Sequence, residues 1–375
     1  MKNILMTTLC GCLLCACTSQ PVKIERPDLG CVHATYSVDS RLKSKQEIDK
    51  SDFRYFRFVY LMAGPRWEMD DLDLPVEQIL DKYVVRHQYP VSTTDGVAYV
   101  PYLIDKVHAD GSRILVSFPG TTFDQVVNDE ARRGKFAALM GEFVAKYGYD
   151  GIELDWEKTV DLDLHYRFMA DIRRVLDQKE QAMKKPLYLT SALNFAERYT
   201  QAQADSVSRY VDFINVMMYD MGGGIWDKCA TYNTPLDLMK AYSERWDVFD
   251  PQKICIGLAS YGFYYKGIAP GETTPEPLNA YGRYMDYNEL PALLQQGWTE
   301  EYNPEACVSY FFSPDRKEFV TMDNERSLKA KMDWVKSKRY KGIFWWEFHS
   351  DFRYPESGSA NGTHALTDYV NGLLE

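Results

Sequence analysis

The chain contains eight short apolar runs, most of them separated by helical segments, and this alternation limits its fold more than any other feature. Short continuous apolar runs predict parallel strands that are buried on both faces. The runs are Phe56–Met62, Lys82–Gln88, Arg113–Phe118, Gly151–Trp156, Leu187–Leu193, Phe213–Tyr219, Ile254–Leu258 and Gly342–Trp346. Helical periodicity is clear in Lys135–Tyr147 and Asn324–Arg339. Eight strands alternating with helices predict an α/β fold, specifically a (β/α)8 TIM barrel.

The spacing between the last two runs departs from this rhythm. More than eighty residues separate Leu258 from Gly342, which is too long for a plain helical crossover. The segment is at first rich in Pro and Gly and then contains short aromatic runs such as Val308–Phe312. We therefore expect a small α+β insertion between strands 7 and 8, at about residues 266–322, within a barrel domain of residues 51–375.

The first 17 residues are typical of an export signal. Lys2 precedes the apolar run Ile4–Ala16, which is too short to span a membrane stably. The run ends in Leu14-Cys15-Ala16-Cys17, which resembles the cleavage box of bacterial lipoproteins. A second box ending at Cys12 also fits but leaves a shorter apolar run. We expect a signal peptide over residues 1–17, lipidation of Cys17 and a tether over residues 18–50. The protein would then be exported and held to the outer membrane or cell surface by its lipid; an ordinary secreted protein is the alternative.

The segment Asp150–Glu157 carries carboxylates at alternate positions. Because side chains alternate between the two faces of a strand, Glu153, Asp155 and Glu157 point to the same side, about 6–7 Å apart. The apolar residues between them would face the helices. Like charges in a partly dry barrel repel one another, which predicts that at least one carboxyl keeps a proton near neutral pH. Such an acid can protonate a glycosidic oxygen, and Glu157 lies at the carboxyl end of its strand, where barrel enzymes carry their active sites.

Charge and residue types narrow the partners. The formal net charge is −11, and a surface of this sign repels phosphate backbones, so nucleic acid is not expected as a partner. A neutral polysaccharide is not repelled, and the 27 Tyr and 8 Trp residues offer flat rings for sugars. Four cysteines remain beyond the leader, and neither they nor the six His residues form a ligand-spaced set. We expect neither a metal ion nor any other cofactor.

The segment Asp150–Glu157 resembles the Asp-Gly-x-Asp-x-Asp-x-Glu signature of family 18 glycoside hydrolases, the chitinase family. Other segments agree with this family in the expected order. They are Val59-Tyr60, resembling the aromatic position of strand one; Met217-Met218-Tyr219-Asp220, resembling Met-x-Tyr-Asp; Lys253–Tyr265 and Gly297–Met322, resembling the chitinase insertion domain and the segment leading into it; and Gly342–Glu347, resembling the last strand. The resemblance covers about residues 53–375. Two positions depart from the family: Glu153 replaces an Asp, and Ser117-Phe118-Pro119-Gly120 replaces Ser-x-Gly-Gly.

The resemblance implies retaining, substrate-assisted cleavage of β-1,4-linked N-acetylglucosamine glycans. Glu157 would protonate the glycosidic oxygen and later activate water. Asp155 would stabilise the charge on the acetamido nitrogen of the substrate, whose oxygen attacks the anomeric carbon, and Tyr219 would hold that oxygen. The remaining substrate-binding residues implied by the resemblance are Glu153, Asp220, Trp346, Tyr60 and Met217.

Two other functions remain open at this point. The first is an endo-β-N-acetylglucosaminidase that acts on N-glycans, and the second is a chitinase-like lectin that binds without cutting. The partner in every case is an oligo- or polysaccharide containing N-acetylglucosamine. Glu157 favours an enzyme over a lectin, whereas the exchange at Glu153 keeps the lectin open.

Overall fold

Eight parallel strands close into a barrel in the computed structural model of the protein. The structure describes residues 24–38, 41–42, 44–62, 73–75, 77–78, 94–120, 123–157, 160–354 and 362–374. In chain order, the first seven barrel strands are β1 (Val32–Val38), β2 (Phe58–Met62), β3 (Arg113–Pro119), β4 (Gly151–Trp156), β5 (Tyr188–Asn194), β6 (Phe213–Met217) and β7 (Ile254–Ala259). The eighth, Gly342–Trp346, pairs with both β7 and β1 and closes the barrel. The predicted barrel is confirmed.

The first strand of the barrel corrects two predicted boundaries. Strand β1 lies inside residues 18–50, which we predicted to be a tether, and it precedes the predicted start of the barrel at residue 51. The polar residues His33, Thr35 and Ser37 alternate along β1 and interrupt its apolar pattern, which hid the strand. They are nevertheless buried on the outer face of the barrel, where His33 accepts a hydrogen bond of 2.8 Å from the indole of Trp345. The tether prediction is therefore wrong for this part of the chain.

The other predicted strands agree with the structure, apart from Lys82–Gln88, which cannot be compared. The run Phe56–Met62 corresponds to β2, which is the second strand and not the first. The run Lys82–Gln88 lies outside the described residues, as does Cys17. Because β1 supplies the strand that the sequence pattern missed, the barrel is complete without Lys82–Gln88.

The described helices are α1 (Lys45–Lys50), α2 (Tyr99–Ala109), α3 (Phe123–Val127), α4 (Glu130–Tyr147), α5 (Leu162–Met183), α6 (Gln201–Val207), α7 (Leu236–Ser243), α8 (Leu290–Gln295), α9 (Glu325–Lys338), α10 (Phe348–Asp351) and α11 (Ala365–Leu374). All but α8 bury apolar residues against the outer side of the barrel. Leu290 of α8 instead packs in a separate apolar cluster with Phe311 and Val320. Phe136, Met140 and Phe143 of α4 are buried, as the helical period predicts. In the described part of the chain, none of these helices has the length and apolar character needed to cross a membrane.

A separate antiparallel sheet lies in the segment between β7 and the last barrel strand. Its strands are β8 (Tyr261–Lys266), β9 (Gly282–Asp286), β10 (Thr299–Asn303), β11 (Val308–Phe312) and β12 (Glu318–Met322), and the last barrel strand is accordingly β13 (Gly342–Trp346). The strand order is β10-β11-β12-β8-β9. The sheet begins at Tyr261, only one residue after β7 ends, and thus earlier than the boundary at residue 266 that we predicted.

A buried ion pair joins the end of this sheet to helix α9. The ammonium of Lys331 lies 2.6 Å from a carboxylate oxygen of Asp323 and 2.7 Å from the hydroxyl of Thr234. Both charged side chains are almost completely inaccessible. Desolvation lowers the pKa of Lys331, and the charge of Asp323 opposes that shift. The pair is therefore stabilising only while both of its members are present.

We expect Lys331→Met to lower the free energy of unfolding by about 3–5 kcal/mol, because it leaves the charge of Asp323 buried without its cation. The matched control is Lys329→Met on the same helix, where the Lys329–Asp333 pair has side chains 57% and 62% exposed. We expect the control to cost less than about 1 kcal/mol. Urea unfolding of the two variants measures the difference, and equal losses would contradict the prediction.

Candidate active site

Strand β4 places two carboxyl groups inside the barrel and a third at its mouth. Glu153 and Asp155 are buried in the barrel interior, and Glu157 is exposed directly after the strand. The apolar residues that alternate with them lie in the core between strands and helices: Ile152, Leu154 and Trp156. The strand thus separates charged and apolar side chains between its two faces, as the alternation predicts.

A cavity opens at the carboxyl ends of the barrel strands, and Glu153 lies beneath this cavity without lining it. Its Oε1 accepts hydrogen bonds from the hydroxyl of Tyr36 at 2.8 Å and from the amide of Asn215 at 3.1 Å. Burial raises the pKa of Glu153 well above its usual range; the two hydrogen bonds oppose this shift, and the charge of Asp155 adds to it. Burial, more than repulsion from Asp155, therefore favours the protonated form of Glu153. Glu153 is therefore not among the residues that line the cavity, and its contact with the substrate stays a prediction.

Asp220 follows β6 and turns its carboxylate toward the same cavity. Its backbone is in the left-handed region, with φ of 56°, and its N–H donates to the side-chain oxygen of Asn233 at 2.7 Å. The hydroxyl of Tyr261 donates to its carboxylate. Burial raises the pKa of Asp220 to about 6, while the bond from Tyr261 lowers it and the charge of Glu157 raises it. Asp220 therefore holds its proton in mildly acidic solution and releases it near neutral pH.

Tyr219 lies among these carboxyl groups. Burial raises the pKa of its hydroxyl well above the usual range, and the charges of Asp155, Asp220 and Glu157 raise it further. The hydroxyl therefore keeps its proton and stays available as a hydrogen-bond donor. Its ring packs edge-on against Tyr261, with 6.3 Å between the ring centroids.

A cavity of about 390 Å³ opens at the carboxyl ends of the barrel strands. Trp346 lines it from the end of β13 and lies 5.3 Å from the ring of Tyr36, measured between centroids. The peptide bond between Trp346 and Glu347 is cis. Among the described residues that line the cavity, Arg41 alone is cationic. Six of the predicted site residues are in this lining: Glu157, Asp155, Tyr219, Asp220, Trp346 and Met217.

Tyr60 was predicted to bind the substrate, but it does not line the cavity. It is fully buried inside the barrel, and its ring lies 4.9 Å from that of Tyr36. Because the first strand is Val32–Val38, the aromatic residue of strand one that reaches the cavity is Tyr36. The structure therefore does not bring Tyr60 to the cavity, because the predicted first strand is the second one; its contact with the substrate stays a prediction.

Sequence reasoning missed seven residues of the lining: Tyr36, Arg41, Tyr261, Tyr284, Asp286, Glu347 and Ser350. Arg41 donates to both carboxylate oxygens of Asp286, at 2.7 and 3.2 Å, and its Nε lies 3.6 Å from Glu347. Tyr261 and Glu347 fall in segments that the family resemblance had already identified. No signal in the sequence pairs Arg41 with Asp286, since 245 positions separate them.

Cysteine and acidic side chains do not assemble into a metal centre in the described part of the chain. No group of three or more His, Cys, Asp or Glu side chains there could hold a metal ion. The cysteines in the described part of the chain are free thiols: Cys31, Cys229, Cys255 and Cys307. The expectation that no cofactor is needed stays a prediction.

The family model described as glycosyl hydrolases family 18 matches residues 89–351. This span is more than half of the chain and includes β4 with its carboxyl groups, Asp220 and Trp346. The chain belongs to glycosyl hydrolase family 18. Its membership agrees with the family resemblance of the sequence motifs.

Curated relatives and solved structures extend this family assignment. The chain is 28% identical over 264 residues to probable chitinase 2 of Drosophila melanogaster, covering 61% of this chain and 53% of the relative. It is 26% identical over 284 residues to chitinase A1 of Niallia circulans, covering 64% of this chain and 40% of the relative. The chain thus spans about half the length of these relatives.

Two solved structures share the fold. A family 18 N-acetylglucosaminidase from Paenibacillus barengoltzii has a TM-score of 0.68 and 23% identity, covering 91% of this chain and 99% of that one. A plant class V chitinase mutant from Cycas revoluta, solved in complex with (GlcNAc)3, has a TM-score of 0.70 and 16% identity, covering 92% and 100%. At these identities the likeness concerns the fold of the family 18 chain.

The third strand carries the departure of this family 18 chain from Ser-x-Gly-Gly. Ser117 pairs in register with Glu153, and Pro119 pairs with Asp155. A Cβ atom on Gly120 would lie 2.6 Å from the carbonyl oxygen of Asp155, which is backbone and cannot give way. The segment Ser117-Phe118-Pro119-Gly120 therefore keeps a glycine where the backbone passes close to β4, since a side chain there would push away the strand that carries Asp155.

Proposed function

We propose that this protein is a retaining glycoside hydrolase that cleaves β-1,4-linked N-acetylglucosamine glycans by substrate-assisted catalysis. One observation carries the proposal: Glu157, exposed at the carboxyl end of β4, opens on the same cavity as Asp155 and Tyr219. In this proposal, the three residues act around one cavity as the proton donor, the anion and a neutral hydroxyl donor. The cleavage needs these three groups and no external nucleophile, because the acetamido group of the substrate supplies it.

Glu157 is the proposed proton donor to the glycosidic oxygen. Its exposure allows contact with a leaving sugar outside the cavity, and Asp220 stands beside it as a second carboxyl with a pKa of about 6. The charge of Glu157 raises the pKa of Asp220, so Asp220 can hold a proton beside the proposed donor in mildly acidic solution.

Asp155 and Tyr219 are proposed to act on the acetamido group. When the acetamido oxygen attacks the anomeric carbon, positive charge develops on the acetamido nitrogen, and a buried carboxylate stabilises it strongly. The tyrosine hydroxyl, whose pKa is raised well above its usual range, stays protonated and donates to the acetamido oxygen. Because burial raises the pKa of Glu153 and so favours its neutral form, we propose that Asp155 supplies the negative charge of the strand.

Trp346 is proposed to support the sugar ring at the cleaved position. It lines the cavity from the last barrel strand, and Met217 lines it from the end of β6. Flat indole rings pack well against the apolar face of a pyranose. The net charge of −11 is compatible with a neutral glycan.

Product analysis tests the proposal. Purified protein is incubated with chitin oligomers, with a chitobioside that carries a fluorescent leaving group, and with an N-glycosylated protein. We expect hydrolysis of the oligomers with the β-anomer as first product, detected by proton NMR. Cleavage of the N-glycoprotein alone would assign an endo-β-N-acetylglucosaminidase instead. Binding without cleavage of any of the three substrates would make the protein a lectin and refute the hydrolase.

We also propose that a lipid on Cys17 holds the protein at the outer membrane or cell surface. The first described residues run along the amino-terminal face of the barrel, where Arg26 pairs with Asp212 at 2.8 Å and donates to the carbonyl of Leu187 at 3.1 Å. The cavity opens at the opposite end of the barrel. An anchor upstream of residue 24 would therefore leave the cavity facing away from the membrane.

We expect Cys17→Ser to release the protein into the soluble fraction, because the serine hydroxyl cannot take the thioether-linked lipid. The matched control is Cys12→Ser, which removes the alternative cleavage box and should leave the protein with the membranes. Fractionation of cells followed by immunoblotting measures both. Continued membrane association of Cys17→Ser would contradict the anchor, and release by Cys12→Ser would move it to the other box.

A further inference from the structure

Asn233 is a buried amide that does not line the cavity but connects two residues that do. It is 2% exposed. Its side-chain oxygen accepts the N–H of Asp220 at 2.7 Å, and its side-chain nitrogen donates to the carbonyl of Tyr261 at 3.3 Å. The hydroxyl of Tyr261 in turn donates to the carboxylate of Asp220. These three contacts form a closed ring of hydrogen bonds, which we call the Asn233 ring.

The backbone of Asp220 needs this support. Its φ of 56° lies in the left-handed region, which is unfavourable for a residue with a Cβ atom. Asn233 binds this turn twice, because its own carbonyl also accepts the N–H of Met221 at 3.0 Å. Without these bonds, the turn loses two hydrogen bonds that stabilise the unfavourable backbone conformation and direct the Asp220 carboxylate to the cavity.

We infer that Asn233 is a positioning residue, which holds the Asp220 carboxylate beside Glu157 through the Asn233 ring. The inference rests on the proposed hydrolase function. An amide suits this place because it is uncharged and carries its acceptor and its donor on two separate atoms, so that it can bind Asp220 and Tyr261 at the same time. Alanine offers neither group, and an ionised carboxylate offers only acceptors.

The position of Asp220 matters because charged and titratable groups face it from several elements. They are Glu157 after β4, Tyr219 after β6, Tyr261 on β8 and Tyr284 on β9. In this position, burial and the charge of Glu157 both raise the pKa of Asp220. If Asp220 withdraws, it loses its proton at lower pH, and the alkaline limb of the pH–rate profile moves to lower pH.

The first test uses Asn233→Asp, which is nearly isosteric. When protonated, the introduced carboxyl can accept from Asp220 and donate to Tyr261. When ionised, it has no donor and places a charge against the Tyr261 carbonyl. We expect the kcat of the variant on a chitobioside to lie within about 3-fold of wild type near pH 4. It should fall about 10–100-fold below wild type near pH 8, with KM nearly unchanged.

The control is Thr234→Val, which removes the neighbouring buried bonds from Lys331 to Thr234 and from Thr234 to Asp323. It should lower the thermal stability yet leave the shape of the pH–rate profile unchanged. Circular dichroism at each pH confirms that the compared variants are folded. A constant ratio of Asn233→Asp to wild type across the pH range overturns the inference, as does an equal pH dependence in Thr234→Val.

If Asn233→Asp unfolds above neutral pH, Asn233→Ala tests the same inference without introducing a charge. We expect its kcat to fall about 10–100-fold and its alkaline limb to move to lower pH. A profile that superimposes on the wild-type profile after scaling overturns the inference. Wild type that hydrolyses no N-acetylglucosamine substrate refutes the proposed function, whereas an active wild type with unaltered variant profiles refutes only the role of Asn233.

Discussion

Glu157→Gln is expected to lower kcat/KM on a chitin oligomer by about 10²–10⁴-fold, because a placed general acid contributes this much and an amide cannot give up the proton. The residue is exposed after β4, and the amide removes a charge that raises the pKa of Asp220. The fold and sugar binding should therefore be kept. Steady-state kinetics and urea unfolding of the same preparation measure both effects.

A comparison of two leaving groups tests whether Glu157→Gln has lost a proton donor. A chitobioside whose leaving group departs without protonation should lose less rate than the oligomer, since the acid assists only an oxygen that needs a proton. Glu142→Gln is the matched control: it makes the same exchange on the outer helix α4, where Glu142 pairs with Lys179, and should be as active as wild type. Near-wild-type hydrolysis of the oligomer by Glu157→Gln would remove Glu157 from the proposed role.

Asp155→Asn is expected to lower kcat/KM by about 10²–10³-fold on both the oligomer and the activated chitobioside. The loss should be similar for both substrates, because Asp155 acts on the acetamido nucleophile and not on the leaving group. Removing one preorganised electrostatic partner in a buried site typically has this effect. The residue is 3% exposed, so little water can replace the missing charge.

Asp333→Asn is the control for this second prediction. Asp333 is an exposed carboxylate on α9 that pairs with Lys329, and its loss should leave both rates unchanged. A substrate that lacks the acetamido group should be hydrolysed slowly by wild type and no slower by Asp155→Asn. A selective loss on the oligomer alone would assign Asp155 to the leaving group and contradict the proposed division of roles.

The sequence determined the barrel and the acidic strand, because both depend on local periodicity. Apolar runs of strand length between helical segments predict buried parallel strands. The carboxylates of β4 face inward because side chains alternate between the two faces of a strand. The inward side of Glu153 and Asp155 and the placement of Glu157 at the mouth of the barrel could therefore be predicted without coordinates. Strand β1 was not predicted, because its buried polar residues give it the sequence pattern of an exposed segment.

Only the tertiary structure decided which residues complete the cavity. Arg41 and Asp286, and likewise Asp220 and Asn233, meet through the closure of the barrel and the turn after β6, and pairings between distant positions leave no mark on local periodicity. The prediction of Tyr60 in place of Tyr36 has the same origin. Because Val32–Val38 is the first of the eight barrel strands, the aromatic residue of strand one is Tyr36 and not Tyr60. Protonation also depends on tertiary structure, because burial controls the pKa of Glu153 and of Asp220, and burial is a property of the packed barrel.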